Sequence, residues 1–276
     1  MKISNQKALA AAVSAARAAG KLMRQNLRAK KNVNSETQHD IKLELDVRCQ
    51  NLIERMLHRD FSEVGFLGEE GGESDAEYRW VVDPIDGTVN FSYEIPHSCV
   101  SIALQKKVQG SKSKVQSANY ETLVGVVYDP FCDERWTAIR GQPARLNGKI
   151  IHVSKRDKLK TAIISIGFGK SKESIDATLP YLGELLRRVR KVRMMGAAAL
   201  AMVYVASGRF DGYVEQHVRL WDIAAGGLIL ECAGGEFWNR PVEGEHAYQV
   251  LANNGLLRRQ LTSLRERSNK RERKKL

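Results

Sequence analysis

Two aspartates three positions apart form the segment best suited to metal-assisted chemistry. An apolar run leads directly to Asp83, and Asp86 follows after Pro84, which cannot continue a strand. Gly87 permits a tight turn, and Thr88 stands where a helix could begin. Carboxylates at such a strand-to-helix turn, together with the first amides of the helix, suit a hard divalent cation that bridges protein and phosphate. An ordinary turn in which Asp86 caps a helix is the competing interpretation, and this segment alone leaves both open.

Two further acidic segments also lie at the ends of apolar elements. Glu69 and Glu70 follow a short apolar run, and Asp222 follows Trp221 at the start of an apolar segment with helical spacing. Taken singly, the first pattern is typical of a solvated loop and the second of a helix cap. Three acidic sites, each at the end of an apolar element, are better explained by one shared metal site.

The elements that must position these acids change character near residue 152. Before it, composition and spacing predict long helices over about residues 6–27 and 46–57, with a polar loop over 32–39 between them. Short strands follow, interrupted by a polar stretch over 106–121 that we interpret as a surface hairpin loop. An Asn-Gly pair at 147–148 is typical of a tight hairpin turn.

After this point, strands and helices alternate, which favours an α/β arrangement. We therefore predict an α+β half over residues 1–152 that carries most of the metal ligands. We predict an α/β half over 153–264 that carries Asp222 and the substrate pocket. A basic tail over 265–276 lacks apolar spacing and is predicted to be disordered.

Charge and cysteine content narrow the class of protein. The formal net charge is +12, and residues 258–276 contribute nine Lys or Arg against two Glu. A tail of this kind could contact nucleic acid, but no aromatic residues interleave it, so a solvated tail is the simpler interpretation. The four cysteines are widely separated and form no CxxC pair, which indicates reduced thiols in a cytoplasmic protein. No apolar run approaches the roughly 20 residues needed to cross a bilayer, so no membrane association is expected.

Three motifs together resemble the inositol monophosphatase family in order and approximate spacing. They are GEE at 68–70, DPIDGTVNF at 83–91 and WDIAAG at 221–226. MGAAAL at 195–200 and YVE at 213–215 resemble the segments with which this family contacts its substrate. The resemblance extends from about residue 5 to residue 265. It implies a layered αβαβα sandwich, a homodimer, two or three Mg²⁺ ions in each site, inhibition by Li⁺, and hydrolysis of a small phosphorylated metabolite such as inositol monophosphate.

The resemblance also implies roles for individual residues. Asp83 would bridge two Mg²⁺ ions, the carbonyl of Ile85 would bind the first ion, and Asp86 and Asp222 would bind the second. Glu69 would bind metal and pair with the Thr88 hydroxyl to hold the attacking water. The amides of Gly87 and Thr88 would bind phosphate oxygens. Four residues would contact the alcohol part of the substrate: Gly196, Ala197, Ala198 and Glu215.

Two positions depart from the family pattern. The family often has an Asp-x-x-Ser/Thr-x-x-Asp segment, and here Leu43 replaces the hydroxyl residue between Asp40 and Asp46, with Lys42 beside it. For Asp40, a role near a third metal ion or the attacking water and a purely structural role both remain open. At position 197 the family often has a hydroxyl residue, whereas Ala197 offers only its backbone amide.

Several alternative functions remain open on the sequence. Histidinol phosphate, fructose 1,6-bisphosphate and 3′-phosphoadenosine 5′-phosphate are rival substrates within the same reaction class. An alternative of another class is a nucleic-acid-associated binding protein that uses the basic tail. For any of the phosphate esters, Mg²⁺ would neutralise the phosphate dianion and lower the pKa of a bound water.

Overall fold

The computed structural model describes residues 3–38, 40–72, 75–108, 120–169 and 171–272; the side chains of Asp40 and of residues 267–272 lie outside the description. Within these ranges the chain forms seven α-helices and fourteen β-strands. The helices are α1 (Asn5–Asn26), α2 (Glu44–Asp60), α3 (Thr88–Ser92), α4 (Lys172–Arg188), α5 (Ala198–Ala206), α6 (Leu220–Cys232) and α7 (Arg258–Glu272). The strands are β1 (Val33–Thr37), β2 (Asp40–Leu43), β3 (Gly65–Gly68), β4 (Tyr78–Asp86), β5 (Cys99–Lys107), β6 (Tyr120–Asp129), β7 (Glu134–Ile139), β8 (Arg145–Leu146), β9 (Lys149–Ile150), β10 (Ile163–Ile166), β11 (Lys191–Arg193), β12 (Gly212–Arg219), β13 (Glu236–Pro241) and β14 (Ala247–Asn253).

Two mixed sheets organise the molecule. The larger sheet has the order β3-β4-β5-β6-β7-β8-β9, in which only the β3–β4 pair is parallel. The smaller sheet has the order β11-β10-β12-β14-β13, in which β10 runs parallel to both of its neighbours. A separate two-stranded hairpin joins β1 and β2.

The sheets alternate with helices in five layers. Helices α1 and α2 pack on the outer face of the larger sheet, α5 and α6 lie between the two sheets, and α4 and α7 cover the smaller sheet. Successive residues of β4 point to opposite faces, so Trp80 and Val82 enter the outer core while Val81 enters the central core. Both faces of the strand are therefore buried, which explains its continuous apolar run. The predicted layered αβαβα fold is confirmed.

The central core takes side chains from both sides of the predicted boundary at residue 152. Trp136 from β7 and Leu228 from α6 belong to the same buried cluster. Gly125 on β6 allows the close approach of α6, because a β-carbon there would lie 2.8 Å from the carbonyl oxygen of Ala225. The division of the chain into two halves at this boundary stays a prediction.

The local predictions succeed and fail for identifiable reasons. Asn147 and Gly148 both have positive φ and join β8 to β9, so the predicted hairpin turn is present. The polar loop predicted over residues 32–39 is wrong, since Val33–Thr37 forms strand β1, which is exposed along its whole length. Most of the hairpin loop predicted over 106–121 lies outside the described residues.

Helix α7 extends further than the sequence suggested. Leu257, Leu261 and Leu264 are buried against α4, and the Tyr181 hydroxyl donates to the Leu261 carbonyl at 3.2 Å. The helix then continues to Glu272, whereas an irregular tail was predicted from residue 265. A helix anchored by buried leucines can propagate through the Arg, Glu and Lys residues that follow, because these are good helix formers. The end of the predicted tail, residues 273–276, lies outside the description.

None of the helices in the described ranges is both long enough and apolar enough to cross a membrane.

Candidate metal centre and substrate cavity

The end of β4 brings two carboxylates to one place. The strand is buried along its whole length, and its pairing with β5 shifts register between Asp83 and Asp86, where Pro84 lacks the N–H that a ladder requires. One carboxylate oxygen of Asp83 accepts the Ile85 amide at 2.9 Å. Gly87 follows with φ of 92°, and α3 then begins at Thr88. The predicted strand-to-helix turn is therefore present.

Asp222 approaches the same place from the other half of the chain. It lies in the first turn of α6, where one of its oxygens accepts the Arg219 amide at 2.8 Å. The Ser101 hydroxyl of β5 donates to the Trp221 carbonyl at 2.9 Å and links this helix start to the larger sheet. Ligand oxygens of Asp83, Asp86 and Asp222 all lie within 4.8 Å of one another. Three acids that are far apart in sequence thus form one cluster.

Burial acts on the pKa values of both β4 carboxyl groups, and neighbouring charges act on that of Asp83. Burial raises the pKa of Asp83 well above its ordinary value, and the charges of Glu69, Asp222 and Asp86 raise it further. Burial also raises the pKa of Asp86, to about 6, although amide hydrogen bonds from Ala199 and Ala198 oppose the shift. A cluster of carboxylate oxygens that repel one another in a buried place fits a hard divalent cation, which would take oxygen ligands and remove the repulsion.

Asp86 also holds the start of α5. Its two oxygens accept the amides of Ala198 at 3.0 Å and Ala199 at 2.7 Å. The residue before the helix, Ala197, makes no side-chain cap. A carboxylate supplied by another element therefore satisfies the first amides of the helix, and a hydroxyl residue at position 197 is not needed for that purpose.

The acidic cluster opens into a cavity of about 550 Å³. This size suits a small metabolite. Eleven of the predicted site residues line it: Glu69, Asp83, Ile85, Asp86, Gly87, Thr88, Gly196, Ala197, Ala198, Glu215 and Asp222. The remaining predicted residue, Asp40, has its side chain outside the description, so its role stays a prediction.

Thr88 has contacts that the sequence did not indicate. Its hydroxyl donates to the Ile85 carbonyl at 2.9 Å and lies 3.5 Å from one carboxylate oxygen of Asp46. The predicted pairing of Thr88 with Glu69 stays a prediction, although both residues line the cavity.

Asp46 belongs to the surroundings of the site. It is buried, and its other oxygen accepts the Leu43 amide at 2.6 Å at the start of α2. Burial raises its pKa to about 8, with further contributions from Glu69 and Glu70. Asp46 therefore supplies the half of a capping box that satisfies the Leu43 amide, whereas the Leu43 side chain has no acceptor for the amides of the first turn. Lys42 lies beside this group, with its ammonium 3.1 Å from Glu70.

Another part of the cavity wall was missed by sequence reasoning. It includes residues from three segments: Ser165, Gly167, Phe168, Ser171, His217, Arg219 and Glu243. Strand β12 shifts register between Glu215 and Val218, and His217 lies within this irregularity. A local pattern in the sequence carries no signal of that shift.

Comparison with known proteins places the chain among phosphatases of one family. The model of the inositol monophosphatase family matches residues 4–270. An inositol monophosphatase from Mesembryanthemum crystallinum is 39% identical over 236 residues, covering 82% of this chain and 83% of the relative. Nus factor SuhB from Escherichia coli K12 is 35% identical over 248 residues, covering 88% of each chain.

Solved structures agree with these sequence relatives. The extragenic suppressor protein suhB from Bartonella henselae matches with a TM-score of 0.83 and 31% identity, covering 94% of this chain and 98% of that one. The Thermotoga maritima IMPase matches with a TM-score of 0.82 and 28% identity, covering 94% and 96%. Family motifs, fold and acidic cluster therefore agree, and the chain belongs to the inositol monophosphatase family of phosphatases.

Proposed function

We propose that the protein uses Mg²⁺ to hydrolyse a small phosphate monoester, and that its substrate is an inositol monophosphate. The observation that carries this proposal is the convergence of three carboxylates within 4.8 Å beside a cavity of about 550 Å³. The sequence relatives named inositol monophosphatase support the choice of substrate. The all-oxygen donor set supports Mg²⁺ over softer metals.

Different residues of the chain have different roles in the proposed hydrolysis. Bound Mg²⁺ would supply charge neutralisation of the phosphate and a lowered pKa for water. Asp83, Asp86 and Asp222 would hold the cation, with the Ile85 carbonyl as a further oxygen ligand. Glu69 and Thr88 orient the attacking water, so the reaction depends on positioning and electrostatics.

A separate segment faces the alcohol part of the substrate. The Asn90 side chain donates to the carbonyls of His97 at 2.9 Å and Met195 at 2.7 Å, which fixes the turn at Gly196 beside α3. Gly196 has φ of 73°, a conformation that glycine adopts without strain. We propose that this turn and Glu215 receive the hydroxyl groups of the alcohol.

Phosphate release tests the proposal directly. We expect the protein to release phosphate from inositol 1-phosphate with Mg²⁺, to lose this activity in EDTA, and to be inhibited by Li⁺. Asp222→Asn should lower kcat by at least about a thousandfold because it removes a charged ligand. Activity that persists in EDTA would contradict the metal assignment. Parallel assays with histidinol phosphate, fructose 1,6-bisphosphate and 3′-phosphoadenosine 5′-phosphate at matched concentration decide among the rival substrates.

A second candidate function rests on relatives that are named Nus factor SuhB. The basic C-terminus would then bind RNA, with an affinity that falls steeply as salt rises. A truncation that tests this must begin after residue 266, because Leu261 and Leu264 are part of the buried core. Loss of salt-dependent RNA binding with unchanged phosphatase activity would assign RNA binding to the tail.

We also propose that the protein forms a homodimer. Tyr93, Ile95 and Met194 are exposed apolar side chains on two segments that the Asn90–Met195 hydrogen bond joins. Burying them against a second copy would remove this apolar surface from water. Light scattering coupled to gel filtration measures the oligomeric state.

A further inference from the structure

The backbone at His217 is unusual and faces the candidate active site. Its φ is 62°, in the left-handed region that residues with a β-carbon rarely adopt. Five non-glycine residues in the described ranges have positive φ: Glu94, Asp133, Asn147, His217 and His246. Among these five, His217 alone lines the cavity that holds the acidic cluster. Sparsely populated backbone conformations of this kind concentrate at ligand sites.

The surrounding structure holds the imidazole of His217 in place. Its Nδ1 atom lies 3.2 Å from the hydroxyl of Ser174, a buried residue in the first turn of α4. Gly169 is required beside it, because a β-carbon there would collide with the Ser174 hydroxyl. One ring nitrogen is therefore engaged by the protein, and the exposed residue lines the cavity.

The neighbours of His217 define the chemistry that this wall accepts. Glu215 comes two positions earlier, bonded to the Tyr213 hydroxyl and packed against Gly167, where a β-carbon would collide with its carboxylate. Glu243 also lines the cavity. Carboxylates accept hydrogen bonds from hydroxyl groups and repel a second phosphate. Arg219 lines the same wall, and its guanidinium donates to the Glu245 carbonyl. The two carboxylates outnumber this cation, so the wall suits an uncharged alcohol with several hydroxyl groups.

We propose that His217 is a specificity-determining residue whose imidazole hydrogen-bonds a hydroxyl group on the alcohol part of the substrate. This inference rests on the proposed phosphatase function. The hydrogen bond from His217 selects polyol monophosphates over esters that lack hydroxyl groups and over bisphosphates. This residue, with its left-handed backbone, lies within the register shift of β12 and lines the cavity.

The variant His217→Gly removes the imidazole and keeps a residue that adopts this backbone without strain. We expect the ratio of kcat/KM for inositol 1-phosphate to that for p-nitrophenyl phosphate to fall about tenfold, mainly through KM. The preference for inositol 1-phosphate over fructose 1,6-bisphosphate should narrow as well. The matched control is Asn147→Gly, which changes a residue with φ of 48° in the β8–β9 turn and should leave both ratios unchanged.

Three outcomes separate this inference from the function on which it rests. Unchanged ratios in His217→Gly, or equal losses of kcat/KM on both esters, would overturn the specificity role. Turnover by the wild-type protein would still support the proposed phosphatase function. If the wild-type protein hydrolyses neither ester, the proposed function fails. Calorimetric binding of inositol 1-phosphate in Ca²⁺ then decides the inference separately: affinity that is about tenfold weaker in His217→Gly supports it, and equal affinity overturns it.

Discussion

Asp83→Asn should stabilise the metal-free protein while it removes metal-dependent activity. Asp83 is buried, and one of its oxygens lies within 4.8 Å of ligand oxygens of Asp86 and Asp222. Two unit charges at that distance repel by about 3.5 kcal/mol at an effective dielectric constant near 20. Burial and the neighbouring charges raise the pKa of Asp83, so the gain from removing its charge is smaller than the full repulsion. The amide can still accept the Ile85 N–H, so we expect a net gain of about 1–2 kcal/mol in the free energy of unfolding.

The sign of the pH dependence follows from the raised pKa values. A carboxyl group whose pKa is higher in the folded state binds more protons there, so the folded protein loses stability as pH rises above about 4. For Asp86 the loss extends to pH values of about 6, where its folded-state pKa lies. Metal-free wild-type protein should therefore melt at a lower temperature at pH 8 than at pH 5. Asp83→Asn should show a smaller difference.

Thermal unfolding measures both effects. In EDTA at pH 8, Asp83→Asn should raise Tm by roughly 4 °C, given about 2–4 °C for each kcal/mol in a chain of this size. In Mg²⁺ the order should reverse, since binding at 100 times Kd stabilises the wild-type protein by about 2.7 kcal/mol. Asp176→Asn, on the exposed face of α4, is the control for loss of one negative charge. A Tm below that of the wild type in EDTA at pH 8 would refute the repulsion argument.

Two other expectations test positioning and assembly. Gly125→Ala places a methyl group 2.8 Å from the Ala225 carbonyl oxygen. It should therefore lower the free energy of unfolding by about 2 kcal/mol, and it should lower kcat by displacing α6 and Asp222. A normal Tm and kcat would show that α6 adjusts without loss. Tyr93→Glu introduces a charge at a side chain that is 69% exposed in the monomer, so it should convert the proposed dimer to a monomer in light scattering; an unchanged mass would place the interface elsewhere.

The sequence predicted the acidic site because its acids stand at the ends of apolar elements. Asp83 follows a strand that is buried on both faces, and Asp222 begins a helix that is buried between two sheets. Elements of this kind have few alternative places in a compact fold, so the residues at their ends can be expected to meet. Strand β1 has no such constraint, since it is exposed throughout and forms only by pairing with β2. Its five residues carry no apolar alternation, which is why a loop was predicted.

Asp86 shows what a local pattern leaves out and how that affects the choice of variants. The competing sequence interpretations made it either a helix cap or a metal ligand, and its geometry is compatible with both roles. The helix that it caps is α5, which begins 112 positions further along the chain. Asp86→Asn would turn an amide N–H₂ group toward the N–H of Ala198 or Ala199, so it should destabilise α5 as well as weaken metal binding. Loss of activity in that variant would not separate the two effects. Asp83 accepts the Ile85 amide and Asp222 accepts the Arg219 amide, and their asparagine variants can still accept these bonds, so these two positions give the clearer test of the metal centre.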